Sequence, residues 1–90
     1  MKNLDELVSI EVFDDSVNIK DYSTDISEAF KLLPEGTYYN LGLTTVGDLA
    51  VVKYYCEIFD GSDFVRALGN TQAIAICIAS LKVRGVDYEG

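Results

Sequence analysis

The sequence predicts an α+β fold, a three-stranded antiparallel β-meander packed with helices in the order α-α-β-β-β-α. Two patterns predict it. Apolar residues recur at helical spacing behind capping residues near both ends of the chain, whereas the middle of the chain alternates with a period of two. The 90 residues, 49% of them hydrophobic, have the length and composition of a single packed domain covering residues 1–90.

A short first helix is predicted over residues 3–12, because the Asn at its start and Glu6 match a capping pair. The connection that follows, residues 13–21, mixes acids with Ser and Asn. We expect its two apolar residues, Val17 and Ile19, to turn toward the core.

The second helix is expected to begin near Thr24, where YSTD supplies capping hydroxyls and acids that complement the helix dipole. Pro34 lacks the backbone N–H that would continue the helix, and Glu35-Gly36 turns the chain. Between these ends an apolar stripe at i, i+3, i+4 and i+7 is expected to face the core. Its members are Ile26, Ala29, Phe30 and Leu33.

Alternation with a period of two begins at Thr37 and predicts two strands that pair as an antiparallel hairpin across the loop TTVGD. One face of each strand is expected to be buried. These faces carry Tyr39, Leu41 and Leu43 in the first strand and Val52, Tyr54, Cys56 and Ile58 in the second. Asp60-Gly61 is a turn signal, and residues 64–68 are expected to add a short third strand at the edge.

The segment GNTQAIAICIASLKVRG matches both a strand and a helix, because its isoleucines alternate but also satisfy helical spacing. Its length and its end signals favour the helix. These signals are a cap at Asn70 or Thr71, cations Lys82 and Arg84 in the last turn, and Gly85 at the end. On a helical projection Ile76 lies nearly opposite Ile78. A second apolar strip around Ile76 must then be covered by another helix or a second subunit.

The formal net charge is -8, and most of it is in the first third of the chain. Residues 1–35 carry nine acids against three lysines, and the remainder carries six acids against four bases. Nucleic-acid binders need the opposite sign, so direct nucleic-acid binding is not expected. No apolar run approaches the ~20 residues of a membrane span, and the N-terminal segment has acids where a signal peptide has bases. We therefore expect a cytoplasmic protein without membrane contact.

The chain has no histidine, which removes the usual acid-base group of hydrolases. Cys56 and Cys77 have no neighbouring Cys or His that would form a metal-binding pattern. We expect two buried thiols; a disulfide is geometrically feasible if strand and helix pack face to face, but a reducing cytoplasm disfavours it. The glycines form no phosphate-binding loop, so no cofactor is expected.

Several segments match one family pattern: an LDELV helix start, DYSTDISEAF, a tyrosine-rich strand, the strand end EIFDG, and the final NTQAIAICIASLKV. In these segments the chain resembles the small phage proteins of the phage alpha-beta-alpha sandwich domain family, over about Leu4 to Val83. Phe30 stands where Trp is more usual, and Ile78 where a basic or polar residue follows the Cys. The resemblance implies a phage or prophage accessory protein in the host cytoplasm, and it carries over no catalytic residue.

The leading hypothesis is a non-enzymatic module that binds a host or phage protein. In one version the acidic N-terminal third imitates phosphates and occupies a basic groove, as an anti-restriction or anti-CRISPR inhibitor would. The alternative is a structural, self-assembling phage protein, a homo-oligomer formed through the strip around Ile76. An enzyme would need a Tyr or carboxylate site created by the fold alone.

Eight residues are candidate partner contacts: Asp14, Asp15, Asp21, Asp25, Glu28, Tyr38, Tyr55 and Ile76. The acids lack the fixed alternation and the Gly of a calcium loop, so solvated acids and helix caps are the simpler interpretation and no metal is expected. The tyrosine pairs 38–39 and 54–55 should each place one ring in the core and one on the outer face. The outer rings either pack across strands or form a recognition surface.

Overall fold

The computed structural model describes residues 3–33, 37–47, 51–61 and 63–88. Its elements are α1 (Leu4–Phe13), α2 (Ile26–Phe30), β1 (Tyr38–Val46), β2 (Val51–Asp60), β3 (Asp63–Gly69) and α3 (Gln72–Val83). The sheet is an antiparallel meander in the order β1-β2-β3. The predicted α+β class and element order are confirmed. The predicted helix stop at Pro34 and the turn at Glu35-Gly36 lie outside the described residues.

The start of α1 is the predicted capping pair. Asn3 Oδ1 accepts a hydrogen bond from the Glu6 backbone N–H at 2.9 Å, and Asn3 Nδ2 donates to Glu6 Oε1 at 3.1 Å. The helix ends at Asp14, whose φ of 53° lies in the left-handed region. Its backbone N–H donates to the Ile10 carbonyl oxygen and closes the last turn.

The sequence predicts that the aliphatic residues of the connection from α1 to α2 turn inward. In the structure they do not. Val17 is 82% exposed and Ile19 is 41% exposed. The Val17 backbone N–H donates to Asp15 Oδ1 at 2.9 Å, so a local turn determines its direction. Tyr22 is buried in this region instead, and its ring stacks on Phe13 with 5.6 Å between ring centroids.

The second helix is shorter than predicted, at five residues, and Asp25 caps it by accepting from the Ser27 backbone N–H. After Phe30 the backbone tightens, because the Leu32 N–H donates to the Ala29 carbonyl oxygen three residues earlier. Ala29 and Leu32 are buried, whereas two members of the predicted stripe, Ile26 and Phe30, are exposed. That part of the stripe prediction is wrong.

The carboxy-terminal segment is a helix, as predicted, and it lies at the centre of the molecule. Thr71 Oγ1 accepts from the Ile74 backbone N–H at 3.2 Å, and Gly85 has a φ of 79° just beyond the helix. α3 packs against β2 and β3, and α1 and α2 pack against α3. Gly69 permits the close contact with the sheet, since a Cβ there would lie 2.7 Å from the Ala75 backbone nitrogen.

The central position of α3 decides whether Ile76 is covered by the same chain or by a second subunit. Ile76 is 0% exposed within the single chain. Sheet and helices therefore bury both sides of the apolar helix, and no second subunit is needed. Seven of its twelve residues are buried, which agrees with a helix that is apolar nearly all round.

The sheet face toward α3 is only partly covered. Cys56, Ile58 and Ala67 are buried there, on the two strands that α3 contacts. β1 has no comparable contact with a helix in the described part of the chain, and the faces predicted to be buried are open at several positions. The exposed members are Tyr39 at 45%, Leu43 at 58%, Val52 at 59% and Tyr54 at 37%. The side chains alternate between the two faces as predicted, but the prediction that these four side chains are buried is wrong.

Candidate protein-binding surface

The side of the sheet turned away from α3 exposes apolar side chains on all three strands. We call it the outer sheet face. The name covers three of the cross-strand rows on that side: Tyr38, Phe59 and Phe64; Asn40, Glu57 and Arg66; Gly42, Tyr55 and Leu68. Strand alternation places these residues opposite the buried Cys56 and Ile58, so they point to solvent.

The first row is entirely aromatic. Tyr38 is 82% exposed, Phe64 51% and Phe59 37%. The Phe59 and Phe64 rings lie 5.0 Å apart between centroids and are tilted by 44°, a favourable aromatic arrangement. Three neighbouring strands thus present one continuous aromatic row to the solvent.

The other two rows are ordered by contacts around Tyr55. The Arg66 guanidinium carbon lies 5.3 Å from the centroid of the Tyr55 ring, within the range of a cation-π contact. Arg66 Nε also lies 3.6 Å from Glu57 Oε2. Gly42 has no side chain to displace the Tyr55 ring, which crosses β1 at that position. A polar pair therefore lies beside the aromatic row.

The structure places Tyr38 and Tyr55 on this one face, as the alternation predicted. Their neighbours Tyr39 and Tyr54 are on the opposite face, also as predicted. However, neither of these inner tyrosines is buried.

The predicted acidic residues lie in the helical part of the molecule, and several have structural roles. Asp15 accepts hydrogen bonds from two backbone N–H groups, Asp25 caps α2, and Glu28 pairs with Lys31 at 3.1 Å. Asp14 terminates α1, and Asp21 is exposed with its carbonyl oxygen bonded to the Asp25 backbone N–H. Helix caps and solvated acids thus account for much of this cluster.

Negative charge is nevertheless segregated in space. Residues 3–33, which form α1 and α2, contain eight acids and two lysines, while residues 37–88 contain five acids and four bases. Burial raises the pKa of the Tyr22 phenol, and the negative charges of Glu28 and, to a smaller extent, Asp15 raise it further. The helical segment is therefore acidic, whereas the outer sheet face has one acid paired with one base.

Ile76 has to be removed from the candidate partner contacts. Its side chain is completely buried by its own chain, so it offers nothing to a second protein. The sequence could not decide this point, because helical spacing shows that two faces are apolar but not which element covers each. The aromatic row was only partly anticipated: Phe59 and Phe64 were missed, although the turn between them signalled that they would be adjacent.

The described residues hold no metal-binding cluster. No group of three His, Cys, Asp or Glu side chains in that part of the chain could hold a metal ion. An open groove of about 540 Å³ at the start of α3 has Tyr54 as its one titratable side chain among the described residues. Cys56 and Cys77 are free and fully buried. No helix in the described ranges is long and apolar enough to cross a bilayer.

Comparison with known proteins supports the fold. No family model matches the chain, so the resemblance to the alpha-beta-alpha sandwich family gains no support from one. No curated protein matches it either. Among solved structures, a phage protein from Bacillus cereus ATCC 14579 is similar over 99% of this chain and 93% of that chain, with a TM-score of 0.69 and 23% identity. The chain thus shares the fold of a phage protein.

Proposed function

We propose that the chain is a non-enzymatic protein-binding module made by a phage or prophage, and that it holds its partner against the outer sheet face. One observation carries this proposal: Tyr38, Phe59 and Phe64 lie exposed in a row across three strands. Contiguous exposed apolar surface of this kind is typical of protein interfaces. The phage origin is supported by the fold shared with the Bacillus cereus phage protein.

The chemistry of the face defines the partner. The aromatic row requires apolar side chains opposite it, and the Glu57–Arg66 pair requires polar groups at its border. Tyr side chains are frequent hot spots, since they bury a large area and lose little conformational freedom. The partner surface therefore combines an apolar patch opposite the aromatic row with polar groups opposite the neighbouring Glu57–Arg66 pair.

Affinity capture from the host cell tests the face directly. The baits are the wild-type protein, the double variant Tyr38→Ser/Phe64→Ser, and the control Val17→Ser/Ile19→Ser. The control removes two exposed apolar side chains from the α1–α2 connection instead of the sheet. We expect a partner that binds the wild type and the control, and binds the double variant at least roughly tenfold more weakly. A partner held equally by all three baits contradicts the proposal.

A more specific version makes the partner an anti-defence target that normally binds nucleic acid. The separation of charge favours it, because an acidic helical segment beside a balanced sheet can approach a basic groove in one orientation. Asp14 and Asp21 are exposed, and their carboxylates accept none of the helix-capping bonds found in residues 3–33. If this version is right, Asp14→Asn/Asp21→Asn weakens the captured complex and added DNA competes for the partner. A captured complex that is weakened neither by these substitutions nor by added DNA excludes the anti-defence version.

A further inference from the structure

We propose that β1 pairs edge to edge with β1 of a second copy of this chain, so that two meanders join into one six-stranded antiparallel sheet. β1 spans nine residues, pairs with β2 on one side, and has no strand on its other side within the described residues. Its register with β2 is continuous, and its sequence YYNLGLTTV contains no charge and no proline. A long, flat, uncharged edge is a template for another strand.

The opposite edge of the sheet is protected. Lys82 of α3 donates a hydrogen bond from Nζ to the Arg66 carbonyl oxygen at 2.9 Å, and α3 packs along β3. Lysines and covering helices are the usual means by which proteins keep sheet edges from pairing. β1 contains no lysine, and no helix packs along it as α3 packs along β3 in the part of the chain that the structure describes, so β1 is the edge open to association.

The sequence of β1 is complementary to itself. In an antiparallel pair centred on Gly42, Leu41 of one copy lies opposite Leu43 of the other. The remaining opposed pairs are Asn40 with Thr44, Tyr39 with Thr45, and Tyr38 with Val46. Aliphatic pairs, polar pairs and pairs of an aromatic with a β-branched residue are the combinations that stabilise antiparallel ladders. Because paired residues share a face, both helical layers lie on the same side of the joined sheet.

Pairing also covers side chains that the single chain leaves open. Tyr39 and Leu43 are 45% and 58% exposed on the helix side of β1, whereas α3 packs on β2 and β3. The net charge of -8 on each copy opposes association, but β1 itself is uncharged and the acidic helical segment packs over α3. Salt should therefore strengthen the dimer by screening the repulsion between copies.

Sedimentation of four proteins tests the pairing and its register. Tyr39→Lys/Thr45→Lys places two lysine pairs directly opposite each other across the interface, and it should weaken the dimer about tenfold or more. Tyr39→Lys/Thr45→Glu places lysine opposite glutamate and should recover most of that loss. Both positions are on the helix side of the sheet, so the outer sheet face is unchanged and partner capture is unaffected.

Val17→Lys/Ile19→Lys adds the same charge in the α1–α2 connection and should leave the dimer at least as tight as that of the wild type. Circular dichroism checks that each variant is folded; if the lysine pair unfolds the chain, Leu43→Lys replaces it, since that side chain is exposed. The proposal is overturned if the wild type is monomeric at hundreds of micromolar. It is equally overturned if Tyr39→Lys/Thr45→Lys dimerises as the wild type does, or if the lysine-glutamate variant shows no recovery.

Discussion

The Tyr55 ring lies across Gly42, its direct partner in the β1–β2 register. A Cβ atom on Gly42 would lie 2.7 Å from the ring, so a side chain at this position and the present ring position exclude each other. The Arg66 guanidinium lies near the same ring. The absence of a side chain in β1 thus shapes the outer sheet face two strands away.

This relationship predicts that Gly42→Ala changes the free energy of unfolding in opposite directions in the wild type and in a Tyr55→Ala variant. Gly42→Ala should lower the free energy of unfolding by about 1 kcal/mol, because the ring must move away from its contact with the strand. In a Tyr55→Ala background the same change should raise it by about 0.5–1 kcal/mol, since alanine restricts the unfolded chain more than glycine does. Urea unfolding of the four proteins measures both values. Additive effects across the cycle would show that the ring is not the obstacle.

The two thiols should be inert in the native protein. Burial raises the pKa of Cys56 and of Cys77 to about 12, with Glu57 and Asp5 as smaller respective contributors. The thiolate is the reactive form, so an aromatic disulfide reagent at pH 8 should label neither residue until the chain unfolds. Val17→Cys introduces an exposed thiol as a positive control. Rapid native labelling of two groups in the wild type would refute the prediction.

The same thiols predict a loss of stability in alkali. The folded pKa values lie above the usual 9.0, so the unfolded chain loses these protons first. Stability attributable to the thiols is fully present below pH 9 and falls between pH 9 and 12, by up to about 1.4 kcal/mol per pH unit for each thiol. Denaturant unfolding across this range should show a shallower fall for Cys56→Ala than for the wild type.

Much of α3 could be predicted because its ends are encoded locally. A hydroxyl at Thr71 and a glycine at 85 both act within one turn of the helix, and both are found in their expected roles. The position of the helix could not be predicted, because it depends on packing between elements distant in the chain. The apolar strip around Ile76 was therefore correctly identified, while the choice between a helix of the same chain and a second subunit as its cover stayed open.

The errors in the second helix and first strand have separate physical causes. Just after α2, bonds to the third preceding residue turn the backbone faster than an α-helix does, and Leu32, which the predicted stripe did not include, is buried. In β1, alternation gave the face of each side chain correctly, but burial depends on whether a helix lies above that face. α3 packs on β2 and β3 rather than on β1, and Leu43 is exposed on the inner face.

Ile76 and Ile26 provide a matched test of the central helix. Ile76 is fully buried, whereas Ile26 in α2 is 41% exposed. Ile76→Ala should lower the free energy of unfolding by about 2–5 kcal/mol, and Ile26→Ala by about 1 kcal/mol or less. Chemical denaturation with unchanged m values measures the difference. Equal losses at the two positions would contradict the burial of α3 from both sides.

The turn after α1 should be sensitive to acid through Asp15. The backbone N–H groups of Asn18 and then Val17, both donating at 2.9 Å, lower the pKa of this carboxyl group. Because the folded pKa is below the unfolded value, the stabilising contribution is present above the unfolded pKa and is lost as pH falls through the folded one. Asp15→Asn keeps an oxygen that can accept both bonds but removes the charge. The wild type should therefore be more stable than Asp15→Asn at pH 7, and the two should converge toward pH 2 in thermal unfolding. A stability difference that stays constant over this range would mean that the carboxylate charge contributes nothing to the turn.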